Sequence, residues 1–257
     1  MSRPRMSPKP GTESALPTFE TGVLVEIWSD IVCPWCYIGK RRFETALARF
    51  EHAAAVQVRW KSFELDPRAP VSRPGTMAEH LARKYGMSVE GAAARLASMN
   101  DLAANEGLHY DLAKTKGGNT FSAHRLIHLG YEKDPAMGAA LKEALLHAYF
   151  EELLPVGEQE VLLHVGAQEG LDPNEVAETL ASDRFADEVR KDEAEAHELG
   201  CTGVPFFVID RKFAVPGAQD PETFLITLRR AWERSHPEVA TATGEGAGMR
   251  SGDSCPI

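Results

Sequence analysis

The sequence predicts an α/β protein in which a long all-helical insertion divides a small β-sheet domain into two parts. Three observations lead to this prediction. Residues 23–63 are patterned as strand, helix and strand; capped helices follow one another over 76–200; and a β-hairpin with a final helix returns over 206–235. A strand–helix–strand start predicts a parallel pair of strands with the helix packed on the sheet.

The first part of the sheet domain is expected over residues 23–75. An apolar, β-branched run at 23–28 predicts a buried strand, and the alternating run at 56–63 predicts a strand with one buried face. Apolar residues at helical spacing predict a helix between them, at about 33–52. Three prolines within 64–75 predict a loop.

Helix signals then dominate residues 76–200. Thr76 and Glu79 form a predicted capping box, and Gly86 is the expected stop of that helix. Further helices are predicted over 88–106, from Asn119 or Thr120 to 130, after Asp134-Pro135, after Asp172-Pro173 and over 182–199. The last of these is expected to face inward with Phe185, Val189, Ala196 and Leu199.

Strand signals return in the second part of the sheet domain, 201–235. Runs at 206–209 and 213–215 predict a hairpin, and the spacing of 221–235 predicts a closing helix. The arm 1–22 and the tail 236–257 are rich in Pro, Ser, Thr or Gly, which predicts disorder at both ends.

Composition excludes several classes of function. The apolar fraction of 43% supplies an ordinary core, and a net charge of −10 without a basic stripe argues against nucleic-acid binding. No apolar run approaches the ~20 residues of a membrane helix, and no apolar segment of a secretory signal follows the N-terminal basic residues. Four cysteines do not make a secreted disulfide framework. We therefore expect a cytoplasmic protein.

The chemistry is concentrated in Cys33-Pro34-Trp35-Cys36, between the first strand and its helix. A C-x-x-C at this place is typical of thioredoxin-like redox proteins. With Cys33 at the helix N-cap and Pro34 at the first helical position, the helix N–H groups and dipole stabilise a thiolate. We predict that Cys33 is an exposed nucleophile of lowered pKa and that Cys36 is the buried resolving thiol.

A C-x-x-C is also half of a zinc site, which needs two further ligands. The other cysteines, Cys201 and Cys255, are isolated, so the pattern favours redox chemistry. We expect Cys201 to be a buried, inert thiol. His124 and His128 share one helix face, where surface or hydrogen-bonded histidines are favoured over a metal pair because no third ligand is near in the sequence.

Three segments together resemble the DsbA-related oxidoreductases of the FrnE type. They are 29–39 around the dithiol, 118–128 (Gly-Asn-Thr-Phe-Ser-Ala-His-Arg-Leu-Ile-His) and 202–208 (Thr-Gly-Val-Pro-Phe-Phe-Val). The resemblance spans about 23–234. It implies a thioredoxin fold with a helical insertion, as in DsbA, and protein-disulfide oxidoreductase or isomerase activity. It implies no bound cofactor or metal, protein or small-molecule thiols and disulfides as partners, glutathione as a candidate co-substrate, and a monomer or homodimer.

The resemblance also implies roles for particular residues. Val204-Pro205 corresponds to the cis-proline loop, which faces the dithiol and pairs with the substrate backbone. Pro34 and Trp35 would contact the substrate, and Asn119 and Thr120 border the cleft in related isomerases. Because the Pro-Trp pair lacks the imidazole of a Pro-His pair, we predict a less oxidising couple than the roughly −120 mV of DsbA.

Two acidic residues near the dithiol have alternative interpretations. Glu26 on the first strand is either a buried proton acceptor beneath Cys36 or a carboxylate at the sheet rim, and the pattern does not decide between them. Asp30 is expected to be a turn residue whose charge, if close, would raise the pKa of the thiols.

Two other functions remain open at this point. One is a glutathione-dependent isomerase or transferase on a small aromatic or polyketide-like substrate. It is suggested by the likeness to 2-hydroxychromene-2-carboxylate isomerases and kappa-class glutathione transferases, which typically carry Ser at the position of Cys33. The other is a redox-regulated chaperone that uses apolar surface around Trp35.

Overall fold

The computed structural model describes residues 22–237, so nearly all of the predicted arm and tail, and Cys255, lie outside the described residues. The order of elements within this range is β1 (Val23–Ser29), α1 (Pro34–Ala48), a 3₁₀ turn (Ala53–Ala55), β2 (Val56–Ser62), α2 (Met77–Tyr85), α3 (Val89–Asn105), α4 (Phe121–Lys133), α5 (Pro135–Phe150), α6 (Gln159–Gln168), α7 (Pro173–Ala181), α8 (Ala186–Glu198), β3 (Phe206–Ile209), β4 (Phe213–Pro216) and α9 (Pro221–Ser235).

The four strands form one sheet in the order β2-β1-β3-β4. Strand β1 pairs in parallel with β2, with Val23 opposite Val56, as the strand–helix–strand start predicts. It pairs antiparallel with β3, with Trp28 opposite Phe206, and β3 continues into the hairpin with β4. The predicted α/β class is confirmed, and helices α2–α8 all lie between β2 and β3 in the chain.

Alternation along β1 separates the two faces of the sheet. Ile27 belongs to the main core, where Phe207 lies with its ring centroid 5.6 Å from Phe43 of α1 and 4.5 Å from Phe224 of α9. Its neighbour Trp28 points to the opposite face and packs with Ala196 of α8 in a second, smaller cluster. Helices α1 and α9 therefore cover one face, and α8 lies on the other.

The insertion is attached to the sheet through the α4–α5 pair. Gly130 and Gly138 let these helices approach closely, since a Cβ on Gly138 would meet the Tyr131 ring at 2.3 Å. The Tyr131 hydroxyl in turn accepts a hydrogen bond of 2.9 Å from the backbone N–H of Trp60 in β2. The helix pair is thereby fixed to the edge of the sheet.

Most predicted helix signals are confirmed. The capping box at Thr76 is present, Gly86 adopts the left-handed conformation, and Asp134 and Asp172 cap helices that begin with proline. Helix α6 carried no prediction. Helix α4 continues to Lys133 because Gly130 is a packing glycine within the helix, not a stop.

Two further predicted helix bounds are wrong. Helix α1 ends at Ala48, not 52, because the backbone N–H groups of 49 and 50 already make 3₁₀-type bonds and Phe50 packs from the turn. Helix α8 begins at Ala186, not 182, because the guanidinium of Arg125 holds 182–185 as a loop by donating to carbonyls of residues 179, 182 and 184. Leu199, expected inside, is 37% exposed beyond the helix end.

No helix in the part of the chain that the structure describes is long and apolar enough to cross a membrane.

Substituting Gly138→Ala tests the close approach of α4 and α5. The added methyl group forces the Tyr131 ring to move, and the cost of overpacking exceeds the gain in helix propensity. We expect the free energy of unfolding to fall by about 1–2 kcal/mol in chemical denaturation.

The control is Gly91→Ala in α3, where a Cβ would meet only the Ser88 hydroxyl, at 3.3 Å. Equal stability of the Gly138→Ala variant and the native protein would show that the two helices do not depend on this contact.

Candidate active site

The dithiol lies at the junction of β1 and α1, as predicted. Strand β1 ends at Ser29, a short turn follows, and Cys33 is the N-cap of α1 with extended backbone (φ −91°, ψ 112°). Pro34 occupies the first helical position, and the backbone N–H of Cys36 donates to the Cys33 carbonyl at 3.0 Å. Both sulfurs therefore belong to the first turn of the helix, where orphan N–H groups favour negative charge.

Cys33 is buried, so its predicted exposure is wrong. It is 4% exposed against 0% for Cys36, which leaves Cys33 as the sulfur closer to solvent. Trp35 between them is 40% exposed and forms the outer surface of the motif. A substrate would thus meet Trp35 first and would reach Cys33 before Cys36.

The loop before β3 covers the dithiol. The Val204–Pro205 peptide bond is cis, and the Val204 carbonyl lies 3.5 Å from Cys33 Sγ, within reach of a thiol hydrogen bond. Gly39 of α1 makes this approach feasible, because a Cβ there would lie 2.9 Å from the Pro205 ring. The two loop residues predicted for the site therefore lie beside the start of α1 that carries Cys33.

The two thiols share their protons unequally. Their mutual hydrogen bond, burial and the charge of Asp30 raise the pKa of Cys33. Burial also opposes ionisation of Cys36, but the hydrogen bond from Cys33, the charge of Lys142 and the Ser29 hydroxyl together lower the pKa of Cys36. The predicted lowering of the Cys33 pKa is wrong for this state. The pair loses one proton readily and the second with difficulty.

Asp30 is confirmed as a turn residue and is also a buried charge. Its carboxylate accepts from the backbone N–H groups of Ile31 and Leu65, both at 2.7 Å. Burial is the largest single effect and opposes ionisation, but His124, whose Nε2 lies 3.4 Å away, the Leu65 N–H and the Thr120 hydroxyl together outweigh it and lower the pKa of Asp30. Asp30 thus remains an anion under the dithiol.

The histidine pair on α4 is used for hydrogen bonding. His124 Nε2 lies 3.2 Å from the Phe63 carbonyl, whereas His128 Nε2 contacts Ser62 Oγ at 3.1 Å and Asp192 Oδ2 at 3.2 Å. The two imidazoles therefore serve different partners. Within 22–237, no group of three or more His, Cys, Asp or Glu residues is arranged to hold a metal ion.

The structure places Glu26 away from the dithiol and also away from the sheet rim, on the inner strand β1, so neither of its two interpretations is confirmed. Glu26 is buried and forms an ion pair with Arg211 in the hairpin turn. It shares a face of β1 with Trp28, the face covered by α8, whereas α1 carries Cys36 on the other face. The geometry does not support its predicted role as a proton acceptor.

Asn119 and Thr120 are held at the start of α4. Asn119 Oδ1 accepts from the Phe121 N–H at 2.9 Å, and its amide donates to Glu64 at 3.2 Å. Thr120 is buried next to Asp30. Both side chains thus shape the surroundings of the dithiol, and their role toward a substrate stays a prediction.

Two residues near the dithiol carried no prediction. Lys142 of α5 is 1% exposed and donates from Nζ to the Ser29 carbonyl at 3.0 Å, and Tyr110 donates to the Pro34 carbonyl at 3.1 Å. A signal for Lys142 was present, since it stands at helical spacing from Leu146 and Tyr149, which are both buried. A lysine on an apolar stripe of a helix indicates a buried charge.

Cys201 fits the expected buried thiol. It packs in the small cluster with Trp28, and its Sγ donates to the Gly203 carbonyl at 3.3 Å. Burial raises the pKa of Cys201 and disfavours a thiolate there.

The fold and the dithiol together define a thioredoxin-fold protein with a helical insertion. A family model described as the DSBA-like thioredoxin domain matches residues 24–229, and the chain belongs to this family.

Individual proteins are also similar to this chain in sequence or in structure. The structure is similar to that of a probable DsbA oxidoreductase from Streptomyces coelicolor, with 43% identity and a TM-score of 0.78 over 90% of this chain and 94% of the other. The uncharacterized protein YwbO of Bacillus subtilis (strain 168) is 26% identical over 79% of this chain and 94% of its own length. A 2-hydroxychromene-2-carboxylate isomerase shares the fold at 16% identity, with a TM-score of 0.62 over 85% of this chain and 98% of its own.

Removal of Cys33 tests the sharing of protons in the dithiol. In the reduced native protein we expect the first thiolate at a pH below the ordinary cysteine pKa of about 8.5. Cys33→Ala removes the hydrogen bond to Cys36, so the pKa of Cys36 rises. The measurement is the ultraviolet absorbance of the thiolate against pH.

Cys201→Ala is the control and leaves the first ionisation unchanged, because the burial-raised pKa of that thiol places its ionisation at higher pH. A Cys33→Ala variant that ionises at the same pH as the native protein, or lower, would contradict the coupling.

Proposed function

We propose that the protein is a thiol–disulfide oxidoreductase of the DsbA/FrnE type in which Cys33 is the nucleophile and Cys36 the resolving thiol. One observation carries the proposal: two thiols one helical turn apart at a helix N-terminus, facing the carbonyl of a cis-proline loop. Membership of the DSBA-like family and 43% identity to a probable DsbA oxidoreductase support it.

In the reducing direction, the proton of Cys33 passes to Cys36 along their hydrogen bond, and the Cys33 thiolate so formed attacks one sulfur of a substrate disulfide. A bond forms between Cys33 Sγ and that sulfur, and the other substrate sulfur leaves as a thiolate that takes a proton from solvent. Cys36 then loses its proton and attacks Cys33 Sγ, which forms the internal disulfide and releases the second substrate thiolate. The substrate gains two electrons, and the dithiol loses two. The oxidising direction is the reverse.

The surface around Cys33 suits an extended substrate chain. The Val204 carbonyl that faces Cys33 is a backbone acceptor for a substrate N–H, and the exposed Trp35 offers an apolar contact beside it. We propose protein disulfides as the main substrates, with glutathione as a co-substrate. The reaction uses the two sulfurs alone and needs no bound metal or organic cofactor. A cytoplasmic location is part of the proposal and is supported by the cysteine content.

The second candidate is a glutathione-dependent isomerase or transferase on a small aromatic substrate. The shared fold of 2-hydroxychromene-2-carboxylate isomerase favours it. Against it stands the buried contact between Cys33 and Cys36, which a one-thiol mechanism does not use. The chaperone alternative would use the exposed apolar surface at Trp35 and Leu65 and would not need Cys33.

Redox titration tests the proposal. The protein is equilibrated in buffers of varied glutathione and glutathione disulfide, and its thiol content and tryptophan fluorescence are followed. We expect one reversible two-electron transition, at a potential below the roughly −120 mV of DsbA because no imidazole stands beside the thiolate. Cys33→Ser abolishes the transition.

A second variant separates the candidates. Cys36→Ser leaves a mixed disulfide with glutathione trapped on Cys33 under the proposed mechanism, and mass spectrometry detects it. No redox transition in the native protein, together with saturable glutathione binding and an activity that survives Cys36→Ser, would establish the isomerase or transferase instead. Holdase activity that persists without Cys33 would favour the chaperone.

A further inference from the structure

Lys142 is a buried charged residue near the dithiol that has no role in the reaction proposed above. It projects from α5 of the helical insertion and is 1% exposed. Its Nζ donates to the Ser29 carbonyl at 3.0 Å and lies 5.8 Å from the centroid of the Trp60 ring. One carbonyl and one aromatic face do not satisfy the three donors of an ammonium group. A buried cation in that position needs a counter-charge.

The counter-charge is available on the neighbouring sulfur. The charges that favour the Lys142 ammonium are, in order, those of Cys36, Asp30 and Cys33, and in return Lys142 lowers the pKa of Cys36. Burial outweighs them and lowers the pKa of Lys142 to about 8, so the ammonium form still dominates at neutral pH.

The Ser29 hydroxyl is a second, independent observation that points to a negative charge beside Lys142. Its hydroxyl oxygen is buried without a partner of hydrogen-bonding geometry among the described residues, although it lies against Cys36 and lowers the pKa of that thiol. A buried hydroxyl without a partner costs free energy unless another state of the molecule uses it. A thiolate on Cys36 is an acceptor that this hydroxyl can satisfy.

We propose that Lys142, together with the Ser29 hydroxyl, is a positioning residue that stabilises the negative charge of the reduced dithiol and thereby sets its redox potential. The inference rests on the proposed function. The reduced dithiol carries a negative charge beside Lys142, whereas the disulfide carries none. When Cys36 attacks Cys33, the negative charge departs with the substrate thiolate and Lys142 is left facing Asp30 alone. The cation thus favours the reduced form and makes the couple more oxidising.

Other charged and titratable groups near Lys142 also affect the pKa values of the thiols and of the lysine. Asp30 raises the pKa of Cys33 and opposes Lys142, whereas Lys40 of α1 acts on Lys142 as a like charge. His124 of α4 is influenced by Lys142, and burial, the largest effect, lowers its pKa, so it is a neutral neighbour at neutral pH. The groups that face Lys142 are therefore Ser29, Asp30, Cys33, Cys36, Lys40, Trp60 and His124.

The test is the equilibrium of the full chain with glutathione, compared for the native protein, Lys142→Met and Asp30→Asn. Lys142→Met removes the stabilising cation, so the equilibrium shifts toward the disulfide. We expect about a tenfold shift, the equivalent of one pKa unit on Cys36, which is about 30 mV toward a more reducing couple. Asp30→Asn removes the opposing anion and shifts the equilibrium the other way. A general loosening of the fold would not shift the redox equilibria of the two variants in opposite directions.

Lys61→Met is the matched control. Lys61 is also a largely buried lysine, but it pairs with Asp192 and Glu195 on the α8 face of the sheet. We expect the Lys61→Met variant to lose stability without a change in the redox potential of the dithiol. The difference between the native protein and Lys142→Met also disappears in acid, where both thiols are protonated. A native-like potential in Lys142→Met overturns the inference, whereas no transition in the native protein overturns the proposed function instead.

Discussion

The hydrogen bond from Lys142 to the Ser29 carbonyl joins the two halves of the molecule at the reactive centre. Ser29 is the last residue of β1, and Lys142 belongs to the insertion, more than a hundred residues later. The contact is buried, so the charge cannot be solvated by moving outward. The position of α5 and the end of the first strand are consequently fixed together, and the dithiol that follows the strand is fixed with them.

The same junction explains why the dithiol is buried. Four elements converge there: the start of α1, the loop with Val204, the helix pair α4–α5, and Tyr110, which donates to the carbonyl of Pro34. Each supplies a polar group or a packing surface to the first turn of α1. Burial alone raises the pKa of both thiols, so reactivity at neutral pH requires compensation inside the protein. Three groups lower the pKa of Cys36 again: the N–H groups at the start of α1, the hydrogen bond between the two thiols and the Lys142 ammonium.

Much of the fold follows from local signals. Capping residues such as Thr76 and Asp134, and the prolines after aspartate, mark helix starts because their chemistry is local. The start of α8 could not be found in that way. The guanidinium of Arg125, distant in the chain, holds the carbonyls of the loop before this helix. Tertiary contacts of this kind override local propensity.

In the candidate site, too, some residues are predictable from local sequence signals and others only from tertiary contacts. Cys33, Cys36, Val204 and Pro205 are recognised by motif and by place in the fold, and the structure brings them together. The face on which Glu26 lies depends on sheet packing, and the alternation of β1 alone does not reveal which side carries α1. The buried charged and polar groups around the sulfurs come from the turn after β1 and from α1, α4 and α5, and only the fold shows that they meet. Motif residues therefore identify the reaction, whereas its energetics depend on residues that no motif contains.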